Sequence, residues 1–185
     1  PDGQSVVYAS EDQIYTYNVA LGTTPRQLTF EGINARPVFS PDGTRIAFDS
    51  NRQGTDGGDL FVKNLVDDLP PRSIIPLDGN QLVTQWPSDA LIVFERGENG
   101  NRDLWTVDFS DPDNPRAEDY LSSEADLRNM VVSPEGTLAA YASNESGRVE
   151  IYIRSFPEPG GAHNGFGGRG ELGLLVTGWE HALLC

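Results

Sequence analysis

The chain has 185 residues, with 13 Lys and Arg against 28 Asp and Glu, a net charge of −15 and a pI of about 4.3. So acidic a surface disfavours nucleic acid, whose phosphates need a basic face, and equally an anionic membrane; it reads as solvated loops rather than a dedicated site for a basic partner. No stretch approaches the roughly 18 apolar residues a bilayer span requires, and the single cysteine, Cys185, leaves no disulfide framework.

A turn and two strands recur along the chain. Pro1-Asp2-Gly3 precedes a β-forming run at Ser5–Ser10, the alternating Gln13-Ile14-Tyr15-Thr16-Tyr17 and an outer strand at Arg26–Thr29. Pro41-Asp42-Gly43 precedes Arg45–Ser50 and Asp59-Leu60-Phe61-Val62. Pro87-Ser88-Asp89, a weakened copy of the turn, precedes Leu91–Arg96 and Asp103-Leu104-Trp105-Thr106-Val107. Pro134-Glu135-Gly136 precedes Leu138–Ser143 and Glu150-Ile151-Tyr152-Ile153. The prolines at 1, 41, 87 and 134 are spaced 40, 46 and 47 residues apart, the period of radially repeated β-sheets. Alternating aliphatic and aromatic positions suit strands packed between two neighbouring sheets, because successive side chains point to opposite faces. The expected fold class is all-β: a fragment of a β-propeller, about four blades of antiparallel sheet, incomplete at both ends, since closed rings have about 4 to 8 blades. The chain opens inside a turn, so further sequence is expected ahead of Pro1. An open ring exposes terminal faces and unpaired edges, so the isolated chain is expected to associate or aggregate.

From Ala162 onward the alternation and the turn chemistry stop together, dividing the chain into a partial propeller at 1–161 and an irregular tail at 162–185. We read the tail as frameshifted. Shifted by one base, the codons available to Leu175-Val176-Thr177-Gly178-Trp179 permit Trp-Ser-Pro-Asp-Gly, and its Gly is forced because Trp has one codon and Glu begins with G. The recovered proline would fall at Thr177, 43 residues after Pro134. His163, Trp179, His181 and Cys185 therefore receive no function.

Without the tail the chain has no histidine or cysteine, so it encodes no Ser-His-Asp or Cys-His centre and no zinc site of the usual type. It also lacks a Gly-x-Ser-x-Gly elbow and a phosphate-binding loop. No catalytic, cofactor-binding or metal residue is assigned, no cofactor is expected, and the segment is read as no enzyme. Asp108, Asp111, Asp113 and Asn114 form an oxygen-rich loop, but Pro112 and Pro115 break any EF-hand pattern, which favours a plain loop over Ca²⁺. Asp67-Asp68 reads as a solvated loop between a third and a fourth strand, and Asp56-Gly57-Gly58-Asp59 as a loop whose glycines supply positive φ. Asp2, Asp42 and Glu135 could ring a channel, yet an acid in this turn more often caps its own backbone. Tyr15, Phe61, Trp105 and Tyr152 share one repeat position, and Phe48, Phe94 and Tyr141 another; both read as inter-blade core rather than ligand-stacking surfaces. Trp86 reads as the counterpart of Phe39-Ser40 and Val132-Ser133, and Arg52, Arg102 and Arg148 as partners of the nearby Asp59, Asp103 and Glu150.

The string from Phe39 to Phe48 (Phe-Ser-Pro-Asp-Gly-Thr-Arg-Ile-Ala-Phe), with Ser50-Asn51-Arg52 and Asp59–Val62, resembles the TolB-type, WD-repeat-like propeller module, and the likeness recurs over 1–161. Pro25-Arg26-Gln27-Leu28-Thr29 resembles its outer strand. Residues 151–161, from Ile151 to Gly161, resemble propellers fused behind bacterial serine/threonine protein kinases and some winged-helix regulators. The Pro87-Ser88-Asp89 turn departs from the pattern in lacking its glycine. The resemblance implies a non-catalytic scaffold for protein interaction or ligand sensing within a larger bacterial signalling protein, periplasmic or otherwise extracytoplasmic. Its partner would be a protein or small ligand on the loop face, with no nucleic acid and no membrane contact by this segment. Two alternatives carry similar repeats: a propeller gating a prolyl-oligopeptidase-like serine peptidase, and a free-standing periplasmic Tol-system protein. The family has no catalytic propeller residue to carry over. Sequencing the coding DNA across residues 160–185 is expected to show a displaced reading frame in which the turn returns; an intact frame with other codons would end that reading.

Overall fold

The computed structural model describes residues 3–54, 57–98 and 100–161 and the backbone of 163–164. Its strands in chain order are β1 (Ser5–Ser10), β2 (Gln13–Asn18), β3 (Arg26–Gln27), β4 (Asn34–Phe39), β5 (Arg45–Ser50), β6 (Asp59–Asn64), β7 (Arg72–Ser73), β8 (Gln81–Ser88), β9 (Leu91–Glu98), β10 (Asn101–Asp108), β11 (Arg116–Leu121), β12 (Leu127–Val132), β13 (Leu138–Ser143), β14 (Glu150–Ser155) and β15 (His163–Asn164). They form four antiparallel sheets of consecutive strands: β1–β3, β4–β7, β8–β11 and β12–β15. Asp67-Asp68 lies between the third and fourth strands of the second sheet, as read from the sequence, and Arg26–Thr29 pairs only over Arg26–Gln27. The first sheet has three strands, so beyond β1 no strand pairs among the described residues. The tail from 165 on, with Trp179, His181 and Cys185, lies outside the described residues, as do Pro1, Asp2 and Asp56.

In the second and fourth sheets the first strand is joined to the next by the Pro-acid-Gly turn. The amide of Gly43 donates to the carbonyl of Ser40 (2.9 Å), and that of Gly136 to Ser133 (2.8 Å). Both glycines have φ near +70°, a conformation that penalises any Cβ. The buried Ser40 hydroxyl accepts from the Arg45 amide at 3.0 Å and donates to Asp42 at 2.5 Å. Asp42 also accepts from the Thr44 amide (3.0 Å) and hydroxyl (2.8 Å). These bonds, that of Ser40 first, lower its pKa to about 2, so Asp42 does cap its own turn. Glu135 likewise accepts from the Thr137 hydroxyl at 3.4 Å.

The Pro87 copy is not a weakened turn of this kind. Strand β8 runs through Ser88, which pairs with Leu91, leaving a two-residue connection at Asp89-Ala90. The third sheet is thus one residue shorter between its first two strands: Gln81 opposes Arg96 where Asn34 opposes Ser50, and Gln85 opposes Val93 where Val38 opposes Ala47. Trp86 consequently matches Phe39 alone, not Phe39-Ser40.

Faces of adjacent sheets meet in three apolar clusters. Ile14, Leu28, Ile46, Phe48 and Phe61 fill the first junction. Leu60, Val62, Trp86, Phe94 and Phe109 fill the second, and Leu104, Met130, Tyr141 and Tyr152 the third. Across every sheet one aromatic pair is directly opposed in register: Tyr8–Tyr15, Phe48–Phe61, Phe94–Trp105 and Tyr141–Tyr152. Their centroids lie 5.7, 6.1, 6.3 and 5.9 Å apart. The repeated aromatics are therefore inter-sheet core, except that the first pair faces outward and Tyr8 is 36% exposed. Phe48→Ala, at a fully buried position, is expected to cost about 3–5 kcal/mol in urea unfolding. Its repeat equivalent Tyr8→Ala should cost about 1 kcal/mol or less; equal losses would contradict the assigned faces.

Candidate functional site

The first strands of the second, third and fourth sheets, β4, β8 and β12, lie side by side and line the inner edge of the array. At the turn end of these strands is a hollow of about 440 Å³ bounded by Phe39, Pro41, Trp86, Pro87, Val132 and Pro134. The hollow lies where an apolar residue at or near the end of each first strand is followed closely by proline, directly in β8 and after a serine in the other two. Gln85 ties two of its walls together: its side-chain oxygen accepts from the Val132 amide at 2.7 Å. The Nε1 of Trp86 is buried without a hydrogen-bond partner, while the Arg45 guanidinium lies 4.8 Å from its ring.

Beside these strands is a set of charges contributed by three sheets, in which the carboxylates and Arg102 are buried and Arg36 and Arg128 are partly exposed. Arg102 bonds Glu95 through Nη1 (2.9 Å) and Asp126 through Nε and Nη2 (both 3.0 Å). Arg128 approaches Asp126 at 3.2 Å, and Arg36 bonds Asp49 at 2.9 Å. β4 and β12 each carry a register shift, and within it Arg36 and Asn129 adopt φ of +49° and +54°. Glu95 of the third sheet caps the second of these bulges, accepting from the Asn129 amide at 2.7 Å. Bonding to Arg102 lowers the Asp126 pKa, and the same contact raises that of Arg102. Burial raises Glu95 instead, against the pull of the Asn129 amide and of Arg102. The Arg102 side chain gives Asp126 two of its three bonds to these acids, so Glu95 receives the smaller share.

The arrangement holds sheets together, Arg102 joining the third sheet to Asp126 beside β12 and Glu95 to Asn129. Of the arginine pairings read from the sequence, Arg148–Glu150 forms, at 2.6 Å. Arg52 instead bonds Asn34 (2.7 Å) and Ser50 (3.0 Å) and lies over the Phe61 ring at 4.9 Å. Arg102 turns to Glu95 and Asp126, while Asp103 accepts from the Ser123 amide at 3.2 Å. The register that brings these partners together is invisible in local spacing. Gly57 and Gly58 do not supply positive φ; a Cβ on Gly57 would overlap the Asn80 side chain, which would have to move aside. In the acidic loop Asp108 accepts from the amide and hydroxyl of Ser110 (2.9 and 2.6 Å), and Asp111 from the Asp113 amide (3.1 Å). Asp113 faces Arg72 at 3.8 Å. Among the described residues no three His, Cys, Asp or Glu side chains converge as a metal would need.

No protein-family model matches the chain. A TolB homologue of Chlorobium luteolum is 26% identical over 155 residues, 82% of this chain and 34% of that protein. The Tol-Pal system protein TolB of Francisella tularensis is 35% identical over 68 residues, 35% of this chain and 16% of its own length. The chain thus spans about a third or less of the curated relatives it matches. Among solved structures, a putative TolB from Agrobacterium tumefaciens superposes with a TM-score of 0.77 at 16% identity, over 91% of this chain and 60% of that one. Prolyl oligopeptidase B from Galerina marginata superposes at 0.60 and 16% identity, over 83% and 24%. The fold is that of a TolB-like β-propeller, present here as a fragment.

Asp49 supplies a direct test of the buried charges. Its Oδ1 has no hydrogen-bond partner, and burial raises its pKa above 3.8 because its one cation, Arg36, has a side chain 49% exposed and weakened by solvent. A raised folded pKa contributes stability that is complete at low pH and lost as pH rises through the folded value. Asp49→Asn keeps the neutral form at every pH. It is expected to raise the urea midpoint at pH 7, with the gain vanishing below about pH 4, where aspartate is protonated in both states. A lower midpoint at pH 7 would show that the Arg36 pair outweighs burial.

Proposed function

We propose that the chain is a non-catalytic propeller scaffold that binds a protein segment or small ligand at the turn end of its inner strands. The observation that carries this reading is the hollow bounded by Phe39, Trp86 and Val132 with their three prolines. Apolar walls with a few bonded polar groups are what a docked side chain or peptide end requires. Gln85 holds two walls in place before anything binds, which lowers the ordering cost of association.

The named relatives favour a part in a Tol-type system over a peptidase: the first matches carry the TolB name, and the structural likeness is greater to a TolB than to a prolyl oligopeptidase. An extracytoplasmic setting fits this reading. Fusion to a kinase or a winged-helix regulator rests on the resemblance of residues 151–161 and would place the same scaffold in signalling. A prolyl-oligopeptidase-like parent is the second reading, favoured by the common fold alone.

Peptides selected from a random library against the chain are expected to lose about tenfold or more in affinity when Pro41→Arg and Pro134→Arg close the hollow, a loss of about 1.4 kcal/mol or more. The melting midpoint should stay unchanged, and mass spectrometry should recover the peptide intact. Undiminished binding by the double variant would move the site elsewhere, and cleavage of the peptide would end the non-catalytic reading.

A further inference from the structure

A second hollow, of about 520 Å³, lies between the first and second sheets at the turn end, bounded by Ser5, Thr16, Arg26, Phe39, Asp42 and Leu65. The repeat supplies its counterparts in the other two junctions. Ser5, Arg45 and Leu91 are equivalent: Ser5 opens β1, the counterpart in the three-stranded first sheet of β5 and β9, which Arg45 and Leu91 open, and the three stand in the same register, opposite Asn18, Asn64 and Asp108. Phe39, Trp86 and Val132 are the apolar residues near the ends of the first strands. Leu65, Phe109 and Phe156 each follow the third strand and bond back to the turn, at Thr44, Ala90 and Thr137.

Between the second and third sheets this place is filled by the Arg45 guanidinium, 4.8 Å from the Trp86 ring and 5.5 Å from that of Phe109. Between the third and fourth it is filled by Leu91, packed in the cluster that contains Val132 and Phe156. Between the first and second sheets the equivalent side chain is the short Ser5, and the hollow remains.

We infer that the hollow at Ser5 is a binding site for a guanidinium group, which takes the place that Arg45 occupies one junction further on. Phe39 lines the hollow at the position Trp86 holds there, and cations are drawn to the negative faces of aromatic rings. Asp42 adds a carboxylate at the hollow's edge; the shorter connection of the third sheet has no counterpart turn. That carboxylate is ionised at neutral pH, its pKa lowered to about 2 by the Ser40 and Thr44 bonds. Arg26 does not oppose the assignment. It pairs with Thr16 as Arg72 pairs with Val62, and Arg72 lies 5.9 Å from the Phe109 ring beside Arg45. Two guanidinium groups therefore already share the neighbouring junction. The site shares Phe39 with the inner-edge hollow, but Ser5, Thr16, Arg26 and Asp42 line this one alone, so it survives if that reading fails.

Titration of the full chain with N-acetyl-arginine methylamide, followed by the amide resonances of Ser5, Thr16 and Asp42, tests the inference. Saturable shifts at these residues are expected. The citrulline analogue, equal in shape but neutral, should bind about tenfold more weakly or worse. Ser5→Arg, which fills the hollow from within, should abolish the shifts without lowering the melting midpoint; Asp42→Asn provides a second variant and should weaken binding. A peptide Gly-Gly-Arg-Gly that binds more tightly than the blocked amino acid identifies a protein side chain as the ligand, and equal binding identifies a small guanidinium compound; both support the site. Equal affinity for arginine and citrulline, or unchanged binding in Ser5→Arg, overturns it.

Discussion

A sheet with two apolar faces has to cover both of them, and everything else in this molecule follows from how it does so. Directly opposed aromatic pairs such as Phe48–Phe61 and Tyr141–Tyr152 stand on the same side of each sheet. Each lies against the smaller aliphatic side chains of the sheet before it, as Phe48 and Phe61 do against Ile14. Large against small is a packing that repeats without accumulating error, because each junction depends only on its two sheets. Among the described residues no sheet covers the same pair on the first sheet, so its exposure belongs to the array and not to the residues.

Polar stitches on the opposite end from the turns keep the sheets from sliding. Asn34 donates through backbone and side chain to the Asp12 carbonyl, both at 2.9 Å. Gln81 donates from its amide to Gly58 at 2.7 Å and accepts from Leu60 at 3.4 Å. Asp126 accepts from the Arg102 amide at 3.2 Å. All three are nearly fully buried at or next to the start of a first strand, and each reaches back to the preceding sheet: Asn34 to the connection between β1 and β2, Gln81 to the start of β6, and Asp126 to β10. Such bonds contribute modestly to net stability, but a buried donor left unmade costs more than the bond gains, so they enforce one relative height of neighbouring sheets.

Much of this was legible in the residues, because the period and the alternation are local signals. The bounds of β1, β5 and β13 follow from the β-forming runs, and the Asp42 cap follows from turn chemistry. What escaped depends on register. Glu95 lies far along the chain from Asn129 and next to nothing that suggests a bulge, yet pairing across two sheets brings them together. The same holds for Arg102, whose nearest acids in sequence are not its partners. The connection after Pro87 was misread because a proline and an acid survive there although one residue is missing. The hollows were hidden for a simpler reason: a cavity is the difference between neighbouring side chains, and no single residue encodes it.

That missing residue in the third sheet reaches beyond its own turn. In a continuous core, deleting a position would propagate through every neighbour and be purged. Here β8 simply runs two residues past Trp86 and closes in a two-residue connection, the pairing on either side is kept, and a tryptophan comes to rest where the other copies place phenylalanine or valine. A modular array thus lets one copy differ while the others keep the architecture, so individuality, and with it any recognition of a particular ligand, can arise from a difference of one residue.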